Sequence, residues 1–259
     1  MMNKKSQVTV FVIVGIVIVV SVFLVFYFLG DRIKKQTEPE IVLEETSLEP
    51  VIKLVQDCIS KEVVKGIELV GLQGGYYNPV KYSQAGDYKV SYDCHKDSSG
   101  NYINRLPTLA RIADEIGEYA SGNMDAIEQC IDDFNYYKDQ GYKITHNIDN
   151  MRIGITVDNV ILVDVNYPVE VSKGKFQSSF NEIKFQINSG LMNAYRVATD
   201  VVNDECTGNV FNIDNYVINN PPLAFIERQF VNNVGYYYYL ETIPQQDEGV
   251  YKFHFIVER

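Results

Sequence analysis

The sequence predicts an α+β fold: an N-terminal transmembrane helix, then an extracytoplasmic domain of antiparallel β-sheet packed with two or three helices. Three observations predict it. Residues 8–29 carry no charge, apolar residues recur at spacings of three and four between Leu48 and Phe134, and from Tyr142 onward the period falls to two. The chain is therefore divided into a short tail (1–7), a membrane span (8–29), a stalk (30–45) and an outer domain (46–259).

The run VTVFVIVGIVIVVSVFLVFYFL is 22 residues long. At about 1.5 Å of rise per residue it makes a helix of roughly 33 Å, enough for a bilayer core of about 30 Å. A secretory signal has a shorter apolar region ending at small residues, whereas this run ends FYFLGDR, with Tyr27 placed for the interfacial aromatic belt. Basic residues near the two ends, Lys4 and Lys5 against Arg32, Lys34 and Lys35, nearly balance. The cysteines decide the orientation: Cys58, Cys94, Cys130 and Cys206 all follow the span, an even number suited to two disulfides in an oxidising exterior.

Net charge is −11, and it is unevenly spread. Residues 1–30 hold two lysines and no acid, so the remaining 229 residues set 34 acids against 21 bases. A part near −13 excludes nucleic acid or anionic lipid held on a basic face.

After the charged stretch 31–45, Thr46 or Ser47 can cap a helix with Pro50 in its first turn. Leu48, Val51, Val55, Cys58, Ile59, Val63, Ile67 and Val70 form its apolar stripe. The following LVGLQGGYYNPV resembles a phosphate loop in composition, but such a loop must precede a helix, and this one follows one. Gly71 is expected to end the helix in a left-handed conformation, with Gly74 and Gly75 reversing the chain. Residues 81–106 read as polar turns pinned by Cys94. A second helical region follows Pro107, with Leu109, Ile112, Ile116, Ala120, Met124, Ile127, Cys130, Ile131 and Phe134 on one face and a break at 121–123. Four cysteines allow three pairings; the placing of Cys58 and Cys130 on two apolar stripes favours that bridge, leaving Cys94 with Cys206. A link closing about 70 residues stabilises a fold by roughly 4 kcal/mol.

In the period-two region YKITHNI, MRIGITV and VILVDVNYPVEVS are strands, with tight turns at the Asp-Asn pairs 149–150 and 158–159. Val163, Val165, Tyr167, Val169 and Val171 point one way, and Pro168 marks an edge or a bulge. KGK at 173–175 turns into FNEIKFQI, and a helix capped by Ser189 ends before Gly208. LAFIERQF, YYYYLETI and VYKFHFIVE complete the sheet, with turns at NNVG and PQQDEG.

Motifs of catalysis and metal binding are missing from the sequence. His95, His146 and His254 are scattered, Cys94-His95 is the one adjacent ligand pair, and DSSGN (97–101) lacks the acids of a calcium loop. The acid pairs Asp132-Asp133 and Asp204-Glu205 read as solvated helix surface. No catalytic residue, metal or cofactor is expected. Tyrosine is the distinctive residue, with 19 copies and no tryptophan. Tyr76, Tyr77, Tyr236 and Tyr238 are the candidate interaction surface, since a run of four strand residues exposes one or two unless both faces are covered.

The opening KKSQVTVFVIVGIVI resembles the amino terminus of archaeal surface proteins with a class III, pilin-like signal. That resemblance implies cleavage before Gln7 and a glutamate at the fifth mature position, where this chain has Phe11. GLQGGYY, DFNYYKDQGY and VDVNYPVEVSKGK resemble a group of single-pass membrane-anchored surface proteins of small-genome archaea, which implies location and no activity. The expectation is a cell-surface protein of structural or interaction type, held in lipid by residues 8–29, meeting a protein partner or itself and no nucleic acid. A pilin-like filament subunit and an envelope hydrolase with paired carboxylates are the alternatives.

Overall fold

The computed structural model describes residues 48–220, 223–242 and 249–259. The tail, span and stalk, the Thr46 and Ser47 caps, and most of the PQQDEG turn lie outside the described residues. Among the described residues no helix is long and apolar enough to cross a membrane. They form an α+β unit in which antiparallel pairing predominates.

Helix α1 (Glu49–Leu72) opens with Leu48 at the cap position and Pro50 in the first turn. Its stripe is buried: Val51, Val55, Ile59, Val63 and Val70 are at most 1% exposed, each worth about 1.5–3 kcal/mol of transfer free energy before entropy is counted. Gly71 does not end this helix. It lies inside the last turn, where a β-carbon would overlap the Lys252 carbonyl and the Tyr251 hydroxyl, so its smallness lets α1 press against the sheet. The left-handed residues come later, at Gly74 (φ +76°) and Gly75 (φ +90°).

The segment 81–106, expected as turns, contains β1 (Tyr82–Ala85), β2 (Tyr88–Lys96) and β3 (Tyr102–Asn104). Then α2 (Leu109–Gly122), capped by Thr108, and α3 (Met124–Ile131) meet at Asn123. Asp132, Asp133 and Phe134 follow with φ of 50°, 49° and 57°, before the short α4 (Asn135–Asp139). Three successive left-handed non-glycine residues are costly. Burial of the Phe134 ring, 0% exposed, and hydrogen bonds from Lys138 and His146 to Asp133 hold them. Asp132 and Asp133 are thus a chain reversal and not a helix surface.

Strands β4 (Lys143–His146), β5 (Arg152–Val157), β6 (Ile161–Lys173) and β7 (Phe176–Ile187) form a four-stranded antiparallel sheet. β4 and β5 do not pair with each other; both lie along β6, joined by a 3-10 turn at Ile148–Asn150 in place of the expected hairpin. Pro168 sits where the β6–β7 register shifts, between Asn166 and Val169, so its missing donor breaks no ladder bond. The alternation of β6 holds, with Val163, Val165, Tyr167, Val169 and Val171 buried.

Helix α5 (Leu191–Glu205), whose first N–H donates to Ser189 Oγ, leads to α6 (Ile213–Asn219), a short helix the periodicity did not reveal. Strands β8 (Ala224–Val231), β9 (Gly235–Thr242) and β10 (Lys252–Val257) join β1–β3 in a second sheet ordered β1-β2-β10-β9-β8, with β3 also on β2. The expected single antiparallel sheet is therefore two sheets, and β10 runs parallel to β2. α1 touches both, meeting β10 on one sheet and β7 on the other, while α5 packs on β9 and β10. One core joins their inner faces. Two disulfides, Cys58–Cys130 between α1 and α3 and Cys94–Cys206 between β2 and the end of α5, brace it.

Candidate functional site

Strand β2 positions the site. β1 pairs with it over Tyr88–Ser91 and β3 over Cys94–Lys96, both on the side away from β10. Where one partner stops and the other starts, Tyr92 N–H donates to Lys81 O at 3.1 Å and Arg105 N–H donates to Asp93 O at 2.7 Å. Across the strand Tyr92 aligns with Ile256 and Cys94 with Val257, so Asp93 is the extra residue of a bulge. Bulges re-aim neighbouring side chains and are common beside functional sites.

The loop after α1 closes the site from above. Gln73 donates through Nε2 to the carbonyls of Tyr76 and Tyr77 and accepts from Lys89 N–H, tying the loop to β2. Gly74 rests on the bulge: a β-carbon there would stand 2.9 Å from Ser91 Cβ and 3.2 Å from Asp93 Oδ1. Tyr76 reaches across to donate from its hydroxyl to Arg105 O at 2.7 Å. Tyr77 turns the other way, its N–H on Glu115 and its ring edge-on to Tyr119.

The result is a cleft of about 400 Å³, within the size range of ligand pockets. Tyr76 and Tyr92 are its aromatic walls, Ser91 and His95 lie on β2, and Lys81, just before β1, and Arg105, just after β3, complete the lining. Lys81 is paired with Glu258 at 2.6 Å and sits 5.0 Å above the Tyr92 ring. Arg105 is exposed, and its guanidinium makes no hydrogen bond or ion pair with a described residue. His95 Nδ1 is shielded from solvent, with the Tyr92 backbone beside it but no hydrogen bond of ordinary geometry among the described residues. Burial, with Lys81 nearby, holds the His95 pKa below its ordinary value. Beneath lies Asp93, 0% exposed, with Ser91 beside it but no hydrogen bond of ordinary geometry to either carboxylate oxygen. Burial pushes its carboxyl well above the usual range, and Ser91 offsets only part of that.

Of the four tyrosines expected to form a surface, only Tyr76 takes part in this cleft. Tyr238 is 0% exposed, stacked on Phe255 at 5.1 Å and hydrogen-bonded to Glu205 at 2.5 Å, so it belongs to the core. Tyr236 is half-buried beside the guanidinium groups of Arg228 and Arg259. The run 236–239 buries Tyr237 and Tyr238 and leaves Tyr236 and Tyr239 half-buried, because the outer sheet face carries its own apolar cluster of Val90, Tyr237 and Ile256, flanked by Tyr92 and Tyr239.

Glu205 also departs from its expected solvated place. It is 0% exposed and accepts from Tyr238, from Phe211 N–H at 2.8 Å and from Arg259, with Arg228 at 3.8 Å. The remaining polar array joins Asp133 to His146 Nε2 at 2.8 Å and His146 Nδ1 to the Tyr167 hydroxyl at 2.7 Å. DSSGN is a turn in which Asp97 accepts from the N–H groups of Ser99 and Asn101. Among the described residues no three His, Cys, Asp or Glu side chains gather as a metal site.

The signal that could have found the cleft is YKVSYDCHK, where an acid and a histidine flank a cysteine within an alternating run. Its partners Lys81 and Arg105 are recognisable only once β1 and β3 are paired. Comparison with family models, with curated proteins and with solved structures yields no match.

Proposed function

We propose that the chain is a surface protein of interaction type, tethered to the membrane by residues 8–29 with its large domain outside. The observation that carries this reading is the closure of all four cysteines into two bridges, with no free thiol among the described residues. Disulfides persist where the surroundings oxidise them, and the uncharged run that precedes this domain has the length of a membrane span. Support for an interaction role comes from β8, the edge strand of its sheet among the described residues, where Phe225 is 69% and Phe230 58% exposed. An open edge with exposed aromatics is a surface that a partner chain can extend.

Thiol labelling of intact cells tests the reading. With a maleimide, no label is expected on intact cells or after lysis in denaturant without reductant, and label at four cysteines after lysis in denaturant with reductant, because Cys58 and Cys94 are buried in the folded domain. Labelling that needs lysis but no reductant would place reduced thiols inside the cell and sink the proposal.

A further inference from the structure

We propose that the cleft between β1 and β3 is a binding site for a small organic carboxylate with an apolar or aromatic body, held by Arg105 and enclosed by Tyr76 and Tyr92. Four other clefts of the described residues set the contrast. Three are lined by an acid together with a base, as in Asp200 with Arg196, and one by an acid alone. The cleft on β2 is lined by Lys81, Arg105 and His95 and by no acid. In a chain of net charge −11 such a concentration of basic groups runs against the background, and it makes this cleft the place where an anion is attracted.

The charge count selects a monoanion. Glu258 already neutralises Lys81, and burial favours the neutral forms of His95 and of Asp93 beneath, so the uncompensated positive charge is that of Arg105. A planar guanidinium matches a carboxylate through two parallel N–H···O bonds. A doubly charged phosphate monoester would leave one negative charge unmatched beside Glu258. The walls select the rest of the ligand. Tyr76 is held by its bond to Arg105 O, and Tyr92 is fixed in the strand with Lys81 above it. The two rings offer rigid amphipathic surface at low entropic cost.

The test is isothermal titration of the full chain in lipid nanodiscs with phenylacetate, phenylacetamide and phenylphosphonate. Phenylacetate is expected to bind, the neutral amide at least about tenfold more weakly because it loses the charge-assisted pair, and the phosphonate more weakly because its second charge is left unmatched beside Glu258. Arg105→Gln, at an exposed position that leaves the core untouched, should weaken phenylacetate by at least about tenfold. Lys184→Gln makes the same charge change on the other sheet and should leave binding unaltered. Equal affinity for acid and amide, tighter binding of the phosphonate, an indifferent Arg105→Gln, or no binding of phenylacetate would each overturn the proposal. None of these readings depends on how the chain meets the membrane.

Discussion

Among the described residues two carboxylates are 0% exposed, and each is the sequence neighbour of one cysteine of the same bridge: Asp93 beside Cys94, and Glu205 beside Cys206. They differ in company. Glu205 accepts from Tyr238, Phe211 N–H and Arg259, so the cost of removing its charge from water is met by charge-assisted bonds. Asp93 has no hydrogen bond of ordinary geometry and survives burial by holding its proton. The first joins α5, β9 and the segment after β10; the second lies under a glycine loop at the rim of a cleft. Burial of an acid therefore says little about its role until its partners are counted.

The largest expected effect breaks the satisfied member. Glu205→Ala strands Arg259 and Arg228 without their shared acceptor and should cost about 3–5 kcal/mol, read as a lower urea midpoint at constant slope. A loss below about 1 kcal/mol would mean that the network is peripheral to stability.

A smaller effect concerns the cover of Asp93. Gly74 has φ +76°, and an added β-carbon would press on Ser91 and on Asp93 Oδ1. Gly74→Ala should cost about 1–3 kcal/mol and weaken any ligand of the cleft, because the loop must rise from β2. Unchanged thermal stability would show that the loop adapts freely.

The smallest effect sharpens the contrast by pH. The folded-state pKa of Asp93 is raised above its unfolded value of 3.8, so the folded state binds the extra proton. The stability associated with that proton is complete below the unfolded pKa and is lost as pH rises toward the folded one. Asp93→Asn removes this dependence. The variant should match the wild type near pH 4 and exceed it at pH 8 by on the order of 1 kcal/mol, about 2–4 °C in melting temperature. An advantage that shrinks as pH rises would show that Asp93 is ionised and paired in the folded protein.

The longer helices and the strands of the four-stranded sheet are legible because their signals are local. The stripe from Val51 to Val70, the break at Asn123 and the alternation along β6 each follow from neighbours a few residues apart. The bridge pairing followed for a similar reason, since Cys58 and Cys130 belong to two such stripes. The second sheet was only half legible. β2 finds its parallel partner β10 some 160 residues later, and without that partner its polar, tyrosine-rich sequence looks like turns. The same dependence hid the cleft, whose rim needs β1 and β3 on one side of β2 and a bulge on the other. It also hid the place of the tyrosines: alternation sends Tyr236 and Tyr238 to one face and Tyr237 and Tyr239 to the other, but only the assembled sheet gives each face an apolar cluster that buries Tyr238 and Tyr237.

Sequence by itself determined the secondary-structure periods, the concentration of acid after residue 30, the even set of cysteines and the uncharged run at the start. Each is a property of residue order and of local dihedral preference. Only the tertiary structure decided which acids are buried, that Glu205 is satisfied and Asp93 is not, and that Lys81, His95 and Arg105 share one cleft. Burial and partnership are set by contacts between segments distant in the chain, and residue order does not encode those distances one residue at a time.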